Sequence, residues 1–462
     1  MWKLKISKAS FISRSIDELI HLLERKTGKV FEDRLQSFPY RLPILKEPGE
    51  VAGILKKAGV ISSFYAVSNL FYDEPRLYRW GTQTSSKIYS GGTSIVSSAS
   101  AMYKALAEGL ERDLWMTSDD YFKNPKKATF KDLGILAIGP ERFVGFSDEV
   151  RKQPECNFSD DSFFLWIEAE SLTDRKKKPV PAQIVSARHG HKVEVKHIEP
   201  IIRMSITTGL ATAPTKERAI LRGVLEVIER DAFMITWLNK LSMPRIILKE
   251  MAERNEAIRN LVDQCARYNL IPHAVLLCTD APVYVVCGLI EDRSGGPSFT
   301  LGARASFSIE EAVEDSLSEA LSVRIALRNS VLKIPDDIKD LNRDDRILYW
   351  AKPENKNGMK FFISGQEQSP VFDNASLNDK EHLERIVSWC RSKSYELFTV
   401  DIGRSSKNPT DWHVYFTSIP EMQPLHLRER YPYFSGPRLK SVPKTLGYEP
   451  AKEINTDPHP FP

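Results

Sequence analysis

Cysteine is scarce in this 462-residue chain: five residues, at 156, 265, 278, 287 and 390, an odd number with no Cys-x-x-Cys spacing. Such a set supports neither a disulfide framework nor a thiolate zinc site, and it fits a reduced, cytoplasmic protein. No apolar run reaches transmembrane length, and the N-terminus lacks the apolar core of a secretory signal. Excess charge is missing too: 65 Lys and Arg against 61 Asp and Glu leave +4. That does not provide the concentrated basic face of a nucleic-acid binder. The one basic run, residues 175–178, reads as a solvated turn after a strand. No Ser-His-Asp constellation is evident.

What the chain does have is an internal repeat. Gly91, Ala101, Glu108, Glu111, Arg112, Asp113 and Met116 recur at a constant offset of 118 as Gly209, Ala219, Glu226, Glu229, Arg230, Asp231 and Met234. Each copy is a Gly-bearing, Ser/Thr-rich loop, then a helix ending in Glu-x-x-Glu-Arg-Asp, with basic Lys104 opposite basic Arg222. In the second copy the helix is apolar nearly all round, which argues for burial. Residues three or four apart share a helix face, so Glu226, Glu229 and Arg230 line up. Two buried carboxylates a turn apart repel and lose hydration, at about several kcal/mol each unless neutralised. Arg or Lys partners, protonation or metal ions are the candidates. A di-iron carboxylate bundle needs Glu-x-x-His, and neither copy has it. Oxygen ligands alone suit a hard cation such as Mg2+. The loops ahead of the helices can also offer backbone donors to phosphates.

A third helix over 310–324 carries Glu319 and Arg324 near one end. Strand-like runs at 163–167, 274–278, 283–287, 397–400 and 414–416 mix with helix-like runs at 249–268 and 379–394, which makes α+β the expected class. Residues 1–50 form an N-terminal appendage with a predicted helix at 16–26; residues 51–462 are read as one catalytic domain of duplicated origin. Its tail, Pro458-His459-Pro460-Phe461-Pro462, alternates prolines that fix φ and remove donors. A stiff arm of this kind can bring the Pro462 carboxylate to a fixed place.

These residues resemble the YcaO family, ATP-dependent enzymes that activate backbone amides. The resemblance runs from about residue 58 to 462 and rests on both Glu-x-x-Glu-Arg units, Thr208-Gly209-Leu210-Ala211, Glu319-Ala320-Leu321-Ser322-Val323-Arg324 and Ile419-Pro420-Glu421-Met422-Gln423-Pro424. It implies a YcaO-type α+β fold with duplicated loop-helix units and antiparallel sheets. It also implies that Glu108, Glu111, Glu226 and Glu229 ligate Mg2+ bound to ATP phosphates. Arg230, Arg112 and Arg324 would stabilise phosphate charge, with Gly91, Ser94, Lys104, Thr208, Gly209 and Glu319 contributing to the nucleotide site. Lys104, Ser322 and the Gly91-Gly92-Thr93 loop depart from the commoner family pattern. The proline tail resembles that of the azoline-forming members, in which it extends into the active site.

The implied reaction is cyclisation of a Cys, Ser or Thr side chain onto the preceding carbonyl of a ribosomal precursor peptide. Phosphorylating the amide oxygen lets it leave as phosphate, with net loss of one water per ring. The Pro462 carboxylate or His459 would take the nucleophile's proton. An E1-like, leader-recognising partner protein, a homodimer and a later flavin dehydrogenase follow from the same resemblance; nucleic acid and membrane do not. Backbone thioamidation by the same core, and a non-catalytic docking subunit, are the competing readings.

Overall fold

The computed structural model describes residues 47–67, 74–118, 120–122, 125–186, 199–328, 337–372 and 377–461. The predicted helix at 16–26, most of the N-terminal appendage and Pro462 lie outside them. Helix α1 (Pro48–Lys57) opens on a proline at its first turn, where the missing N–H costs nothing, and closes with Lys56 and Lys57 at its negative end. Strands β1 (Ile61–Ala66), β2 (Tyr78–Thr84) and β3 (Tyr89–Ser94) form an antiparallel meander. Helix α2 (Ser98–Thr117) follows and packs on β2 and β3.

A second sheet is built on β5 (Phe163–Ser171), which pairs with β4 (Lys126–Thr129), β6 (Lys177–Pro181) and β13 (Phe398–Asp401). Beyond β13 lie β14 (His413–Ser418) and then β7 (Leu210–Ala213), all antiparallel. Helix α3 (Lys216–Leu238) crosses this sheet at β7 and β14. The third sheet runs β11 (Phe299–Ser306), β10 (Tyr284–Asp292), β9 (Leu270–Leu276), β8 (Arg245–Ile246) and β12 (Glu367–Gln368); only β12 is parallel to its neighbour. Helix α4 (Ile309–Arg328) packs on β10 and β11. This is the α+β arrangement with antiparallel sheets that the sequence implies.

The repeat occurs three times, not twice. The caps of the three helices are Ser97, Thr215 and Ser308, whose hydroxyls accept from the amides three residues on, at Ser100, Arg218 and Glu311. A glycine lies six residues before each cap (Gly91, Gly209, Gly302) and a glutamate eleven residues after it (Glu108, Glu226, Glu319). Each helix packs on the strand of its own unit and on that of the next: α2 also on β7, α3 also on β11, α4 also on β3. The three units therefore close a ring.

Two local readings need correction. The helix predicted over 249–268 is two helices, Leu248–Arg254 and Glu256–Arg267, because the Asn255 side chain accepts from the Ile258 amide (3.1 Å) and caps a new start. The basic run is a turn only at Arg175, whose φ is 61°; Lys177 and Lys178 begin β6, and Lys178 Nζ bridges Glu396 (2.6 Å) and Asp174 (2.8 Å). Among the described residues no helix is long and apolar enough to cross a membrane.

The core divides accordingly. One apolar cluster wraps α3 with Phe233, Trp237, Trp350 and Phe362; a second lies between α2 and the second sheet; a third seals α4 on β9 and β10. At the junction of the first two, Gly209 has φ +90° and a Cβ there would lie 1.9 Å from the Thr417 carbonyl oxygen. A Gly209→Ala variant is expected to lose about 2–3 kcal/mol or more through strain and displaced backbone. The urea midpoint of unfolding measures it; an unchanged midpoint contradicts this packing.

Candidate active site

The caps place the glutamates. On α2, Glu108 Oε2 accepts from the Gly91 amide (2.8 Å) and its other oxygen pairs with Arg112 one turn on. On α3, Glu226 repeats this with the Gly209 amide (2.9 Å) and Arg230 (2.7 Å). On α4, Glu319 accepts from the Ala303 amide (3.0 Å). Gly302 lets strand and helix approach here, since a Cβ on it would sit 2.4 Å from the Glu319 Cβ. The loop amides at Gly91 and Gly209, read from the sequence as donors for phosphate, are committed to glutamates instead.

A turn further along, Glu229 accepts from the Ala305 amide on β11 (3.0 Å), so the second unit is tied to the third. Glu111 has no hydrogen-bond donor among the described residues and interacts electrostatically with Glu226 and Glu108. The four glutamates of the duplicated units and Glu319 thus converge. Burial, then Glu226 and Glu108, push the Glu111 carboxyl well above the usual range. Burial and Glu319 push Glu229 up to about 8, although Arg304 and Arg230 oppose this. Burial pushes Glu319 up to about 7 against its Ala303 hydrogen bond and Arg230.

Beneath the glutamates the equivalent positions Lys104, Arg222 and Asp315 meet. Lys104 Nζ bonds Asp315 (2.6 Å) and Arg304 Nε reaches its other oxygen (3.3 Å). Burial would raise the Asp315 pKa, yet Lys104 and Arg304 hold it below the usual value. Lys104, expected beside the nucleotide, is here a strut between the first and third units.

Other expected site residues fall in several places. Ser94 Oγ accepts from Val96 (3.0 Å) and Ser97 (3.2 Å), turning the chain into the first cap. Arg112 also reaches the Tyr89 carbonyl (3.3 Å). Thr208 Oγ1 accepts from Arg230 (2.7 Å), and the Arg230 Nε is buried without a partner. Arg230, Thr208, Arg203, Met422 and Gln423 line a pocket next to the glutamates. Burial lowers the Arg203 pKa to about 10. Arg324, expected to face phosphate, is buried between Glu74 and Asp292 (2.8 Å to the latter), where it braces α4 against β10. Asp231 orients no neighbour on its own helix; it grips Arg438 through two 2.8 Å bonds.

The tail is buried. Trp350 Nε1 donates to the Pro458 carbonyl (2.7 Å) and Trp237 Nε1 to that of Asp457 (3.2 Å). His459 is 0% exposed, with Nε2 bonded to the His426 carbonyl (2.7 Å). Burial, with Arg346 nearby, lowers its pKa well below the ordinary value. An imidazole so enclosed anchors the tail, which corrects its expected place as a base near substrate. Phe461 is 3% exposed, sits edge-on to Phe233 (4.8 Å between centroids) and lies 5.7 Å from the Arg230 guanidinium. The tail therefore reaches the residue that holds Glu226.

These carboxylates fit Mg2+ and an ATP phosphate chain. The donors are all oxygen, more carboxylates than paired arginines face the site, and Glu111, Glu229 and Glu319 favour protons in the absence of another cation. Arg304 and Asp315 carry no motif in the sequence, and the shared cap-to-glutamate spacing is the signal that marks the Glu319 helix as a copy of the other two.

A protein-family model described as YcaO cyclodehydratase, ATP- and Mg2+-binding, matches residues 94–423. A heterocyclase solved in complex with substrate and cofactor is similar with a TM-score of 0.72 at 19% identity, over 91% of this chain and 59% of that one. YcaO from Methanopyrus kandleri, bound with AMPPCP and Mg2+, gives 0.56 at 17% identity, over 81% of this chain and 91% of that one. The E. coli microcin synthetase McbBCD complex with pro-MccB17 bound gives 0.56 at 14%, over 78% and 88%. This chain thus spans about three fifths of the heterocyclase it matches.

The raised Glu229 carboxyl has a thermodynamic sign. The folded state holds this proton more tightly than the unfolded chain does. Metal-free protein therefore loses stability as pH rises from the usual carboxylate value to about 8. Saturating Mg2+ is expected to flatten that fall. Thermal melts across the window, with and without Mg2+, measure it; an equal fall in Glu229→Gln assigns the loss elsewhere.

Proposed function

The chain belongs to the YcaO family, whose model is described as that of an ATP- and Mg2+-binding cyclodehydratase, and we propose that it forms azolines in a ribosomal precursor peptide. The observation that carries this reading is the tail seated against Arg230 beside five converging glutamates.

Glu108, Glu111, Glu226 and Glu229 would hold Mg2+, with Glu319 closing the cluster. Bound there, Mg2+ neutralises phosphate charge during transfer of the ATP γ-phosphoryl group to the amide oxygen. Arg230 is already oriented by Glu226 and Thr208, and its unpartnered Nε is free for a phosphate oxygen. Arg112 occupies the equivalent place on α2. Arg203 adds positive charge to the pocket beside Arg230, where the peptide carbonyl would lie. The amide oxygen departs as phosphate once the Cys, Ser or Thr side chain has closed on its carbon, so each ring costs one water. Phe461, packed on Phe233, holds the described part of the tail at this place, and the nucleophile's proton is assigned to the tail. His459 acts behind it as an anchor. The pro-MccB17 bound to the E. coli microcin synthetase complex supports a precursor peptide and a partner protein as what this chain works with.

The test is mass spectrometry of a candidate precursor peptide incubated with the protein, its partner, ATP and Mg2+. Loss of one water per ring with phosphate release is expected. Exchange of oxygen for sulfur on adding a sulfide source would establish thioamidation instead. In the same assay Glu229→Gln is expected to lower ring formation by about 100-fold or more. Deleting residues 458–462 should leave ATP binding nearly intact and lower ring formation by at least about 100-fold. Because the deletion uncovers Phe233, one glycine appended after Pro462 serves as a second variant; normal ring formation in both removes the tail from the mechanism.

A further inference from the structure

We infer that His426, Glu429 and His459 form a zinc site that clamps the C-terminal tail to the loop following β14. Each of the three offers one ligand atom, and these atoms all lie within 4.8 Å of one another. The imidazoles are 2% and 0% exposed and stand perpendicular, with ring centroids 4.7 Å apart. The site shares no residue with the glutamate cluster.

The hydrogen bonds behind these groups set their ligand atoms. His459 Nε2 lies 2.7 Å from the His426 carbonyl, an acceptor only, so Nε2 carries the proton and Nδ1 carries the lone pair. That Nδ1 is buried and has no partner. His426 Nε2 lies 3.2 Å from Glu429 Oε2, so these two atoms face one another as the other two ligands, with His426 Nδ1 buried on the far side of its ring. The other Glu429 oxygen accepts from Arg346 Nη1 (3.3 Å). His459 is thus held as metal-bound histidines are, through its second ring nitrogen on a carbonyl, and Glu429 as metal-bound carboxylates are, by a hydrogen bond to its other oxygen. A buried imidazole acceptor without a donor, as at His459 Nδ1, is otherwise costly to enclose.

Two nitrogens and one carboxylate oxygen suit zinc, which takes three protein ligands and leaves a fourth position for water. The Arg346 guanidinium, fully buried against Glu429, disfavours Mg2+ or Ca2+, which bind through several carboxylates. His459 lies two residues before Phe461, so the metal would fix the register of Phe461 on Phe233 and Arg230. This inference does not depend on which reaction the glutamate cluster supports.

The experiment uses the full-length protein, stripped with a chelator and then offered Zn2+ in the presence of excess Mg2+ to occupy the glutamates. After gel filtration, elemental analysis should find about one zinc per chain in the wild type and less than about a tenth of that in His459→Gln and Glu429→Gln. Glu111→Gln should retain the zinc. Zinc should also raise the melting temperature of the wild type and leave that of His459→Gln unchanged. Should the variants fail to fold, Co2+ added to the stripped wild type gives an independent readout: intense tetrahedral visible bands without thiolate charge transfer support the site. Substoichiometric zinc in the wild type, equal uptake by both variants, or an octahedral cobalt spectrum overturns it.

Discussion

Mutual repulsion among carboxylates is the constraint from which the rest of this molecule follows. Glu108, Glu111, Glu226, Glu229 and Glu319 are gathered where burial pushes three of them toward protonation, helped at Glu111 and Glu229 by the charge of neighbouring glutamates and at Glu319 by Asp315. No core would assemble such a group for stability. It is held by backbone amides at Gly91, Gly209, Ala303 and Ala305, by arginines one turn away, and by a layer of alternating charge at Lys104, Asp315 and Arg304. Each strut comes from a unit that would be displaced if its neighbour moved. The ring of three strand-helix units is the scaffold that keeps like charges close.

The repeat was legible because its two obvious copies preserve spacing, residue type and a helical period together. The third copy was hidden by its own divergence. At the positions matching Glu229 and Arg230 it has Ser322 and Val323, so the Glu-x-x-Glu-Arg pattern is gone while the cap, glycine and first glutamate remain. Arg324 was misplaced for a related reason: a motif gives a residue's neighbours along the chain, but its guanidinium answers to Glu74 and Asp292, which are distant in sequence. The break at Asn255 shows how one capping side chain overrides an otherwise continuous apolar period. The fold class survived these errors because strand alternation and helix period depend on local burial, whereas partners depend on the whole topology.

The tail is the opposite case. Its prolines told of stiffness, yet stiffness alone does not choose between a solvated arm and a buried one. What decides is the face of α3 that presents Phe233 and Trp237, against which Phe461, Asp457 and Asn455 lie. Asn455 bonds the end of α3 through both its amide and its side chain, to the Leu238 and Trp237 carbonyls. The same helix therefore carries two of the glutamates and, one to two turns further along the same face, the aromatic rings that receive the tail.

That double duty has a bearing on how the protein is made. A ribosome delivers α3 long before residues 455–461, and during that interval the aromatic face of the helix has only its earlier neighbours. The glutamates can be close to their final places while the wall beside them is still open to water. Site assembly thus waits for residues 455–461, and a nascent chain that stops short of them would expose the aromatic surface that quality-control chaperones bind.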